Sequence, residues 1–211
     1  SNLPNYKHCR IAVIGLGYVG LPLAIEFSRA KISTKDNSAI NYHVIGFDIN
    51  KKRIEELLLY KDVTKEISSN ELKHSKNLTI TSDIELLSTA EVFIITVPTP
   101  IDKANSPDLT AIKSATSTVA KVIRKNAEIN KNNSSYNSPI IIYESTVYPG
   151  ATEEVCIPII ERESLLKLNN NEASKGFYCG YSPERINPGD KKHCFRNIIK
   201  VTSGSNKAAA K

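Results

Sequence analysis

The sequence predicts an α/β fold in which helices flank a doubly wound, mostly parallel sheet. Short β-branched runs alternate along the 211 residues with segments of helical period, which is typical of parallel strands joined by crossover helices. The first apolar run, residues 11–14, leads directly into a glycine-containing turn and then an amphipathic segment. Because a chain of this length can bury one substantial core, we expect a single large domain.

The apolar runs and the polar stretches between them fix the expected elements. Strands are expected near residues 10–15, 43–48, 78–81, 91–97, 139–144, 177–181 and 198–202. Helices are expected near residues 19–30, 51–59, 69–73, 84–88, 109–126 and 151–165. Two polar stretches, residues 31–42 and 126–138, are predicted to be loops inserted between a helix and the next strand.

The turn after the first strand has the spacing G-x-G-x-x-G, formed by Gly15, Gly17 and Gly20. In a dinucleotide-binding turn the first glycine allows the tight turn, the second lets the backbone approach the phosphates, and the third lets the helix pack closely. The amino end of that helix offers free N–H groups to an anion. The segment therefore predicts a Rossmann-like dinucleotide site.

A secretory signal peptide is the alternative interpretation of this segment, because Lys7, His8 and Arg10 precede the apolar run. The run is shorter than the ~20 residues that span a bilayer. Glu26 and Arg29 continue it as an amphipathic helix. These features favour the dinucleotide fold.

The second predicted strand ends at Asp48, whose carboxylate can accept hydrogen bonds from the adenosine ribose hydroxyls. An acid here repels the 2′-phosphate of NADP, so NAD is the predicted cofactor. Asp48 follows Gly20 by 28 positions, against about 20 in the usual pattern, and the polar stretch 31–42 accounts for the excess. Arg53 is either a second group near the ribose or phosphates or a solvated helix charge.

Ligands of open parallel sheets bind beyond the carboxyl ends of the strands, so the residues there are candidates for the site. Val97 and Thr99 end the fourth strand beside two prolines, where the Thr99 hydroxyl points at the cofactor or caps the loop. Thr146 follows the fifth strand. Glu184 and Arg185 follow the sixth, as a general base beside an anionic substrate or as a surface ion pair.

Composition argues against several other functions. The net charge of +6 is spread along the chain without a basic stripe interleaved with aromatics, so a nucleic-acid partner is not expected. The four cysteines lack C-x-x-C spacing and are interpreted as reduced thiols of a cytoplasmic protein. The four histidines form no ligand cluster, so no metal site is predicted, and no membrane association is expected.

Five ordered motifs are similar to those of the UDP-glucose/GDP-mannose dehydrogenase family, above all its bacterial branch acting on UDP-N-acetylhexosamines. They are GLGYVGLPLA, VIGFDINKKRI, VPTPID with PDLTAI, YESTVYPGATEEV and YSPERINPGD. The resemblance implies NAD-dependent oxidation of a sugar C6 alcohol to a carboxylate in two hydride transfers, through a cysteine-bound thiohemiacetal and thioester. It also implies a role in surface polysaccharide (capsule) precursor synthesis.

The resemblance also implies roles for single residues around the cofactor. Tyr18 and Val19 would meet the pyrophosphate through their backbone amides. Asp48 and Arg53 would hold the adenosine ribose region. Thr99 and Thr146 would line the nicotinamide side, and Val97 would also contact the cofactor.

On the substrate side, the resemblance implies that Glu184 positions or activates the water that hydrolyses the thioester, with Thr146 beside the reacting oxygen. Arg185 and Ile186 would touch the nucleotide sugar. Members of the family carry their nucleophilic cysteine in a G-F-G-G-x-C segment that this chain lacks. Cys194 is interpreted as structural, and the chain by itself is expected to be inactive.

The expected organisation is a tail over residues 1–8, an NAD-binding domain over 9–204, and the start of a central helix over 205–211, with a homodimer or larger assembly for the full-length enzyme. Two alternatives stay open: a non-catalytic dinucleotide-binding module, and a member that acts on UDP-glucose or GDP-mannose. A hydroxy-acid or 6-phosphogluconate-like dehydrogenase shares the glycine turn but does not call for the motif YSPERINPG.

Overall fold

The computed structural model describes residues 3–101, 107–169, 176–183, 202–207 and 209–210. Its strands are β1 (Arg10–Ile14), β2 (His43–Phe47), β3 (Leu78–Thr81), β4 (Val92–Ile95), β5 (Ile140–Tyr143), β6 (Tyr178–Tyr181) and β7 (Ser203–Gly204). Its α-helices are α1 (Gly20–Arg29), α2 (Lys51–Leu58), α3 (Ser69–His74), α4 (Thr110–Ile129) and α5 (Ile157–Ser164).

The strands form one sheet in the order β3-β2-β1-β4-β5-β6-β7. Every neighbouring pair is parallel except β6 and β7, which pair antiparallel through Gly180 and Tyr181. The chain starts in the middle of the sheet, builds outward through β2 and β3, and then returns to add β4 on the other side of β1. This arrangement confirms the predicted doubly wound, Rossmann-like fold.

Helices cover both faces of the sheet, because the central strands are apolar on both sides. In β1, Ile11 and Val13 face a core shared with α1, α2 and α3. Ala12 and Ile14 face the opposite core, which is shared with α4 and α5. This two-sided burial explains why β1 reads as a continuous apolar run instead of an alternating one.

Two of the predicted helices differ from a regular α-helix in their hydrogen-bond pattern. The helix predicted near 84–88 is a 3-10 helix, Ile84–Thr89, whose start is capped by Asp83 through Glu85 N. The helix predicted over 151–165 opens with a π turn, Thr152–Cys156, directly before α5. Pro158 in the first turn of α5 has no N–H to donate back along the helix, which accounts for the change of hydrogen-bond pattern there.

Helix α4 also ends at Ile129 instead of 126, inside the second polar stretch. The last strand was expected near 198–202, whereas pairing is found at Ser203–Gly204, and residues 198–201 lie outside the described part of the chain. The predicted division of the chain into a tail, a domain and the start of a helix stays a prediction.

Across the described residues, no helix combines the length and the apolar character needed to cross a bilayer. The same residues contain no group of three or more His, Cys, Asp or Glu that could hold a metal ion.

Candidate cofactor site

A cavity of about 670 Å³ opens at the carboxyl ends of the central strands. It lies where the strand order reverses between β1 and β4, the place at which open α/β sheets bind ligands. The strand ends, the glycine turn before α1 and one face of α4 contribute to it. Its lining residues are Ile14, Gly15, Gly17, Tyr18, Val19, Phe47, Asp48, Ile49, Thr96, Val97, Pro98, Thr99, Pro100, Ala111, Ser114, Ala115, Thr118, Glu144, Ser145 and Thr146.

The glycine turn, residues 15–20, is held tightly against the ends of β1 and β4. Gly15 has φ +96°, a left-handed conformation that glycine adopts without a steric cost. A Cβ on Gly20 would lie 1.9 Å from the Gly15 carbonyl oxygen. The Thr96 hydroxyl hydrogen-bonds the carbonyls of Ile14 at 3.0 Å and Gly15 at 2.7 Å, so the turn and the first turn of α1 are locked together.

Gly17 differs from the other two glycines of the motif, because a Cβ placed on it would meet no described protein atom within 4 Å. Gly17 is exposed and lines the cavity. The packing of the described residues therefore does not explain a glycine here, whereas a ligand pressed against the backbone would.

The first turn of α1 has no side-chain cap among the described residues. By contrast, Asn50 caps α2 and Ser68 caps α3. Uncapped N–H groups at the start of a helix, with the macrodipole behind them, suit an anion. The glycine turn, the open space at Gly17 and the size of the cavity together fit a dinucleotide.

Asp48 lies at the end of β2, on the rim of the cavity. Its Oδ2 accepts a hydrogen bond from Leu16 N at 2.8 Å, and its Oδ1 accepts one from Asn50 N at 2.9 Å. Each oxygen retains a further lone pair. The carboxylate is thus fixed in place and can still accept from a ligand hydroxyl.

Arg53 is buried behind the glycine turn and is not among the cavity-lining residues. Its Nε donates to the Leu16 carbonyl at 2.9 Å, and its Nη2 lies 2.7 Å from Asp62 Oδ1. The predicted contact of Arg53 with the adenosine ribose stays a prediction.

Hydroxyl groups link the ends of β4 and β5 across the cavity wall. Ser145 Oγ donates to the Val97 carbonyl at 2.6 Å, and the Thr99 hydroxyl donates to the Thr146 carbonyl. The structure thus brings Val97, Thr99 and Thr146 to one wall, as their positions at strand ends predict. The Thr99 hydroxyl donates to the protein, so this side chain can meet a ligand as an acceptor.

Glu184, Arg185 and Ile186 lie outside the described residues, and their roles stay predictions. Sequence reasoning missed Thr96, which locks the turn from the end of β4. It also missed the face that α4 turns to the cavity. That face could have been found from its small side chains at helical spacing, which are Ala111, Ser114, Ala115 and Thr118.

The cysteines of the described part of the chain are buried free thiols, and none of them lines the cavity. Burial, assisted by the Glu91 carboxylate, raises the pKa of Cys9 to about 11. Burial also raises the pKa of Cys156 and of Cys179. A nucleophilic cysteine needs the opposite shift and access to substrate, so these three thiols are structural.

Residues 9–211 match the family model described as UDP-glucose/GDP-mannose dehydrogenase family, NAD binding domain. The chain belongs to this family. The match confirms the family predicted from the five motifs and NAD as the cofactor of the domain.

Named relatives and a solved structure agree with this assignment. The chain is 47% identical over 199 residues to a UDP-N-acetyl-D-glucosamine 6-dehydrogenase of Pseudomonas aeruginosa, covering 94% of this chain and 40% of that protein. It is 48% identical over 194 residues to Protein CapL of Staphylococcus aureus, covering 92% of this chain and 39% of that protein. The solved structure of a UDP-D-ManNAc dehydrogenase from Pyrococcus horikoshii superimposes with a TM-score of 0.70 at 29% identity, covering 95% of this chain and 42% of the other.

The chain therefore spans about 40% of the length of the curated relatives it matches. The whole-length activities in their names belong to proteins with a further 60% or so of sequence.

Proposed function

We propose that this chain is the NAD-binding part of a cytoplasmic nucleotide-sugar 6-dehydrogenase, which oxidises the C6 alcohol of a UDP-N-acetylhexosamine to the uronate for surface polysaccharide synthesis. The observation that carries the proposal is the cavity at the switch point, where Gly17, the uncapped start of α1 and Asp48 converge. The names of the relatives support the substrate class.

Three regions of the cavity bind three parts of the cofactor. The N–H groups of Tyr18 and Val19 bind the pyrophosphate, beside Gly15, Gly17 and Gly20. The Asp48 carboxylate accepts from the adenosine ribose hydroxyls. Val97, Thr99 and Thr146 position the nicotinamide ring, which when bound accepts a hydride from the substrate carbon.

The substrate side rests on the sequence motif of residues 181–189 and on Thr146. Glu184 activates the water for hydrolysis of the enzyme-bound acyl group, Thr146 lies beside the reacting oxygen, and Arg185 and Ile186 contact the nucleotide sugar. The full-length enzyme works as a homodimer or larger assembly, with no nucleic-acid or membrane partner.

The 211 residues alone are expected not to turn over, because covalent catalysis needs an accessible, low-pKa thiol. The three described thiols are buried, and Cys194, outside the described residues, does not lie in a G-F-G-G-x-C segment. Incubation of the chain with NAD and UDP-N-acetylglucosamine or UDP-N-acetylgalactosamine is expected to give no steady NADH absorbance. Steady production would contradict this part of the proposal. In the full-length protein, Glu184→Gln is expected to slow acyl hydrolysis, whereas the non-catalytic alternative predicts no turnover to slow.

Calorimetry of the chain with NAD and NADP tests the cofactor site directly. NAD is expected to bind and NADP to bind at least about tenfold more weakly, since the Asp48 carboxylate repels a 2′-phosphate. Asp48→Asn is expected to weaken the binding of NAD and to reduce the difference in affinity between NAD and NADP.

Asp36→Asn is the matched control for Asp48→Asn. Asp36 also accepts from the backbone N–H two residues ahead, Ser38 N, at 3.1 Å, and it is not part of the cavity lining. The Asp36→Asn variant is expected to leave the affinities for NAD and NADP unchanged. Equal binding of NAD and NADP by the unaltered chain, or no binding of either, would contradict the proposed site.

A further inference from the structure

A buried ion pair lies directly behind the glycine turn. Arg53 Nη2 and Asp62 Oδ1 are 2.7 Å apart, and the two side chains are 8% and 0% exposed. Asp62 belongs to the segment between α2 and α3, for which neither the sequence motifs nor the proposed function gives a role. Burying charged groups costs desolvation free energy, so a buried ion pair at this position suggests a role beyond stability.

Asp62 is fixed by its own loop. Its Oδ1 accepts from Thr64 N at 3.1 Å and from Thr64 Oγ1 at 2.7 Å. Its Oδ2 accepts from Glu66 N at 3.0 Å and from Ile67 N at 2.9 Å. Burial opposes ionisation, but these hydrogen bonds and Arg53 outweigh it and lower the pKa of Asp62. The carboxylate is therefore a rigid anionic anchor.

Arg53 connects the Asp62 carboxylate to the glycine turn. Its Nε donates to the Leu16 carbonyl at 2.9 Å, while Leu16 N donates to Asp48 Oδ2 at 2.8 Å. The carbonyl of Leu16 and the N–H of Gly17 belong to one planar trans peptide, in which they point in opposite directions. Because Arg53 holds the carbonyl on the buried side, the Gly17 N–H is turned away from it, toward the exposed side where Gly17 lines the cavity.

We propose that Asp62 and Arg53 are a positioning pair, which orients the Leu16–Gly17 peptide so that its N–H meets the anionic diphosphate of the cofactor. Arg53 then acts through the main chain instead of by contact with the ribose. The inference rests on the proposed NAD site and adds Asp62 as a residue that determines affinity without touching the ligand.

Two probes separate this role from a direct contact: ADP-ribose, which carries the diphosphate, and adenosine, which does not. For Asp62→Asn, and for Arg53→Lys, which removes the Nε donor, the dissociation constant for ADP-ribose is expected to rise about tenfold, as for one lost well-placed hydrogen bond. The dissociation constant for adenosine, followed by ligand-observed NMR, is expected to stay within about twofold, because Asp48, which accepts from the ribose hydroxyls, is unaltered.

A double variant separates positioning from folding. Asp62→Asn leaves the buried Arg53 cation without its carboxylate and destabilises the chain, whereas Arg53→Met with Asp62→Asn removes both charges and is expected to recover much of that stability. Its affinity for ADP-ribose is expected to stay low, since the Leu16 carbonyl still lacks its donor. A purely structural pair would instead recover affinity together with stability.

The control is the ion pair between Arg29 and Glu71, whose atoms are 3.3 Å apart and which joins α1 to α3 away from the turn. Arg29→Met with Glu71→Gln is expected to leave both probes unaffected. An equal loss of affinity for adenosine and for ADP-ribose in the Arg53 or Asp62 variants would overturn the inference and leave the proposed function intact. So would an unchanged affinity for both probes. Failure of the unaltered chain to bind ADP-ribose would overturn both.

Discussion

At the scale of single residues, the three glycines of the turn are needed for different reasons. Gly15 adopts a left-handed backbone, and Gly20 lies so close to Gly15 that an added Cβ would overlap the Gly15 carbonyl oxygen. Gly17 has neither constraint, because the space its Cβ would fill contains no described protein atom within 4 Å. Two of the glycines are therefore required by the packing of the turn, and at the third the space beside the backbone is open to a ligand.

Substitution by alanine is expected to separate these roles. Gly20→Ala introduces a Cβ 1.9 Å from a backbone oxygen and is expected to lower the free energy of unfolding by about 1–3 kcal/mol or more. Gly17→Ala is expected to change the free energy of unfolding by less than about 0.5 kcal/mol and to weaken NAD binding at least about tenfold. Urea denaturation and calorimetry measure the two effects, and unaltered NAD affinity in Gly17→Ala would contradict the assignment.

The residue scale also shows where sequence reasoning stops. Gly15 to Gly20 and Asp48 could be placed because their roles depend on local backbone and on the end of a strand. The pairing of Arg53 with Asp62 could not, since it depends on how the loop after α2 folds back on the helix. A charged helix residue five positions after Asp48 fits both a ligand contact and a buried anchor.

At the scale of elements, the helices differ in how their first turns are satisfied. The start of α3 has a complete capping box, in which Ser68 accepts from Glu71 N and the Glu71 side chain accepts from Ser68 N. The start of α1 has no side-chain cap among the described residues. The N–H groups capped at the start of α3 have a partner within the chain, whereas those at the start of α1, directly after the cavity-lining glycine turn, are left for an anion.

Removing the cap of α3 is expected to affect stability alone. Ser68→Ala deletes the acceptor for Glu71 N, which lies at 3.2 Å, and is expected to lower the free energy of unfolding by about 1 kcal/mol. The NAD dissociation constant is expected to be unchanged, because neither Ser68 nor Glu71 lines the cavity. A loss of affinity with this variant would show that α3 is coupled to the site.

Element types were predicted best where the apolar period is long or where a strand is buried on both faces, as in α4 and β1. The 3-10 helix at Ile84–Thr89 was predicted as an ordinary helix, since six residues are too few to distinguish a period of 3.0 from one of 3.6. The π turn before α5 left a signal in Pro158, but a proline in a first turn is also common in regular helices.

At the scale of the whole molecule, the site is a product of topology. The cavity exists because β1 and β4 are neighbours whose connections leave in opposite directions. The fold and the family could be predicted from ordered motifs. The cavity wall formed by α4 and the Arg53–Asp62 pair behind the turn could not, because they depend on packing between distant segments.

Acid is expected to destabilise the molecule through its hydrogen-bonded carboxylates. The pKa of Glu71 is lowered mainly by the Ser68 N–H, and that of Asp62 is lowered against the effect of burial. Because these pKa values are depressed in the folded state, their stabilisation is present above the unfolded values near 4 and is lost as the pH falls through the folded values. Urea denaturation is expected to give a nearly constant free energy from about pH 7 to 5 and a steep fall below about pH 4.

Glu71→Gln provides the control for this pH dependence. It removes one such carboxylate, so its stability is expected to lie below that of the unaltered chain at neutral pH and to converge with it in acid. A difference between the two proteins that does not change with pH would contradict the assignment of acid sensitivity to Glu71.

The most direct test of the central claim is an amide NMR titration of the chain with NAD. We expect saturable shifts at Gly17, Tyr18 and Val19 in the turn, at Asp48, and at Thr146 on the nicotinamide side. Shifts confined to another surface, such as the smaller cavity beside Lys76 and Asn77 at the opposite end of the strands, or no shifts at millimolar NAD, would contradict it.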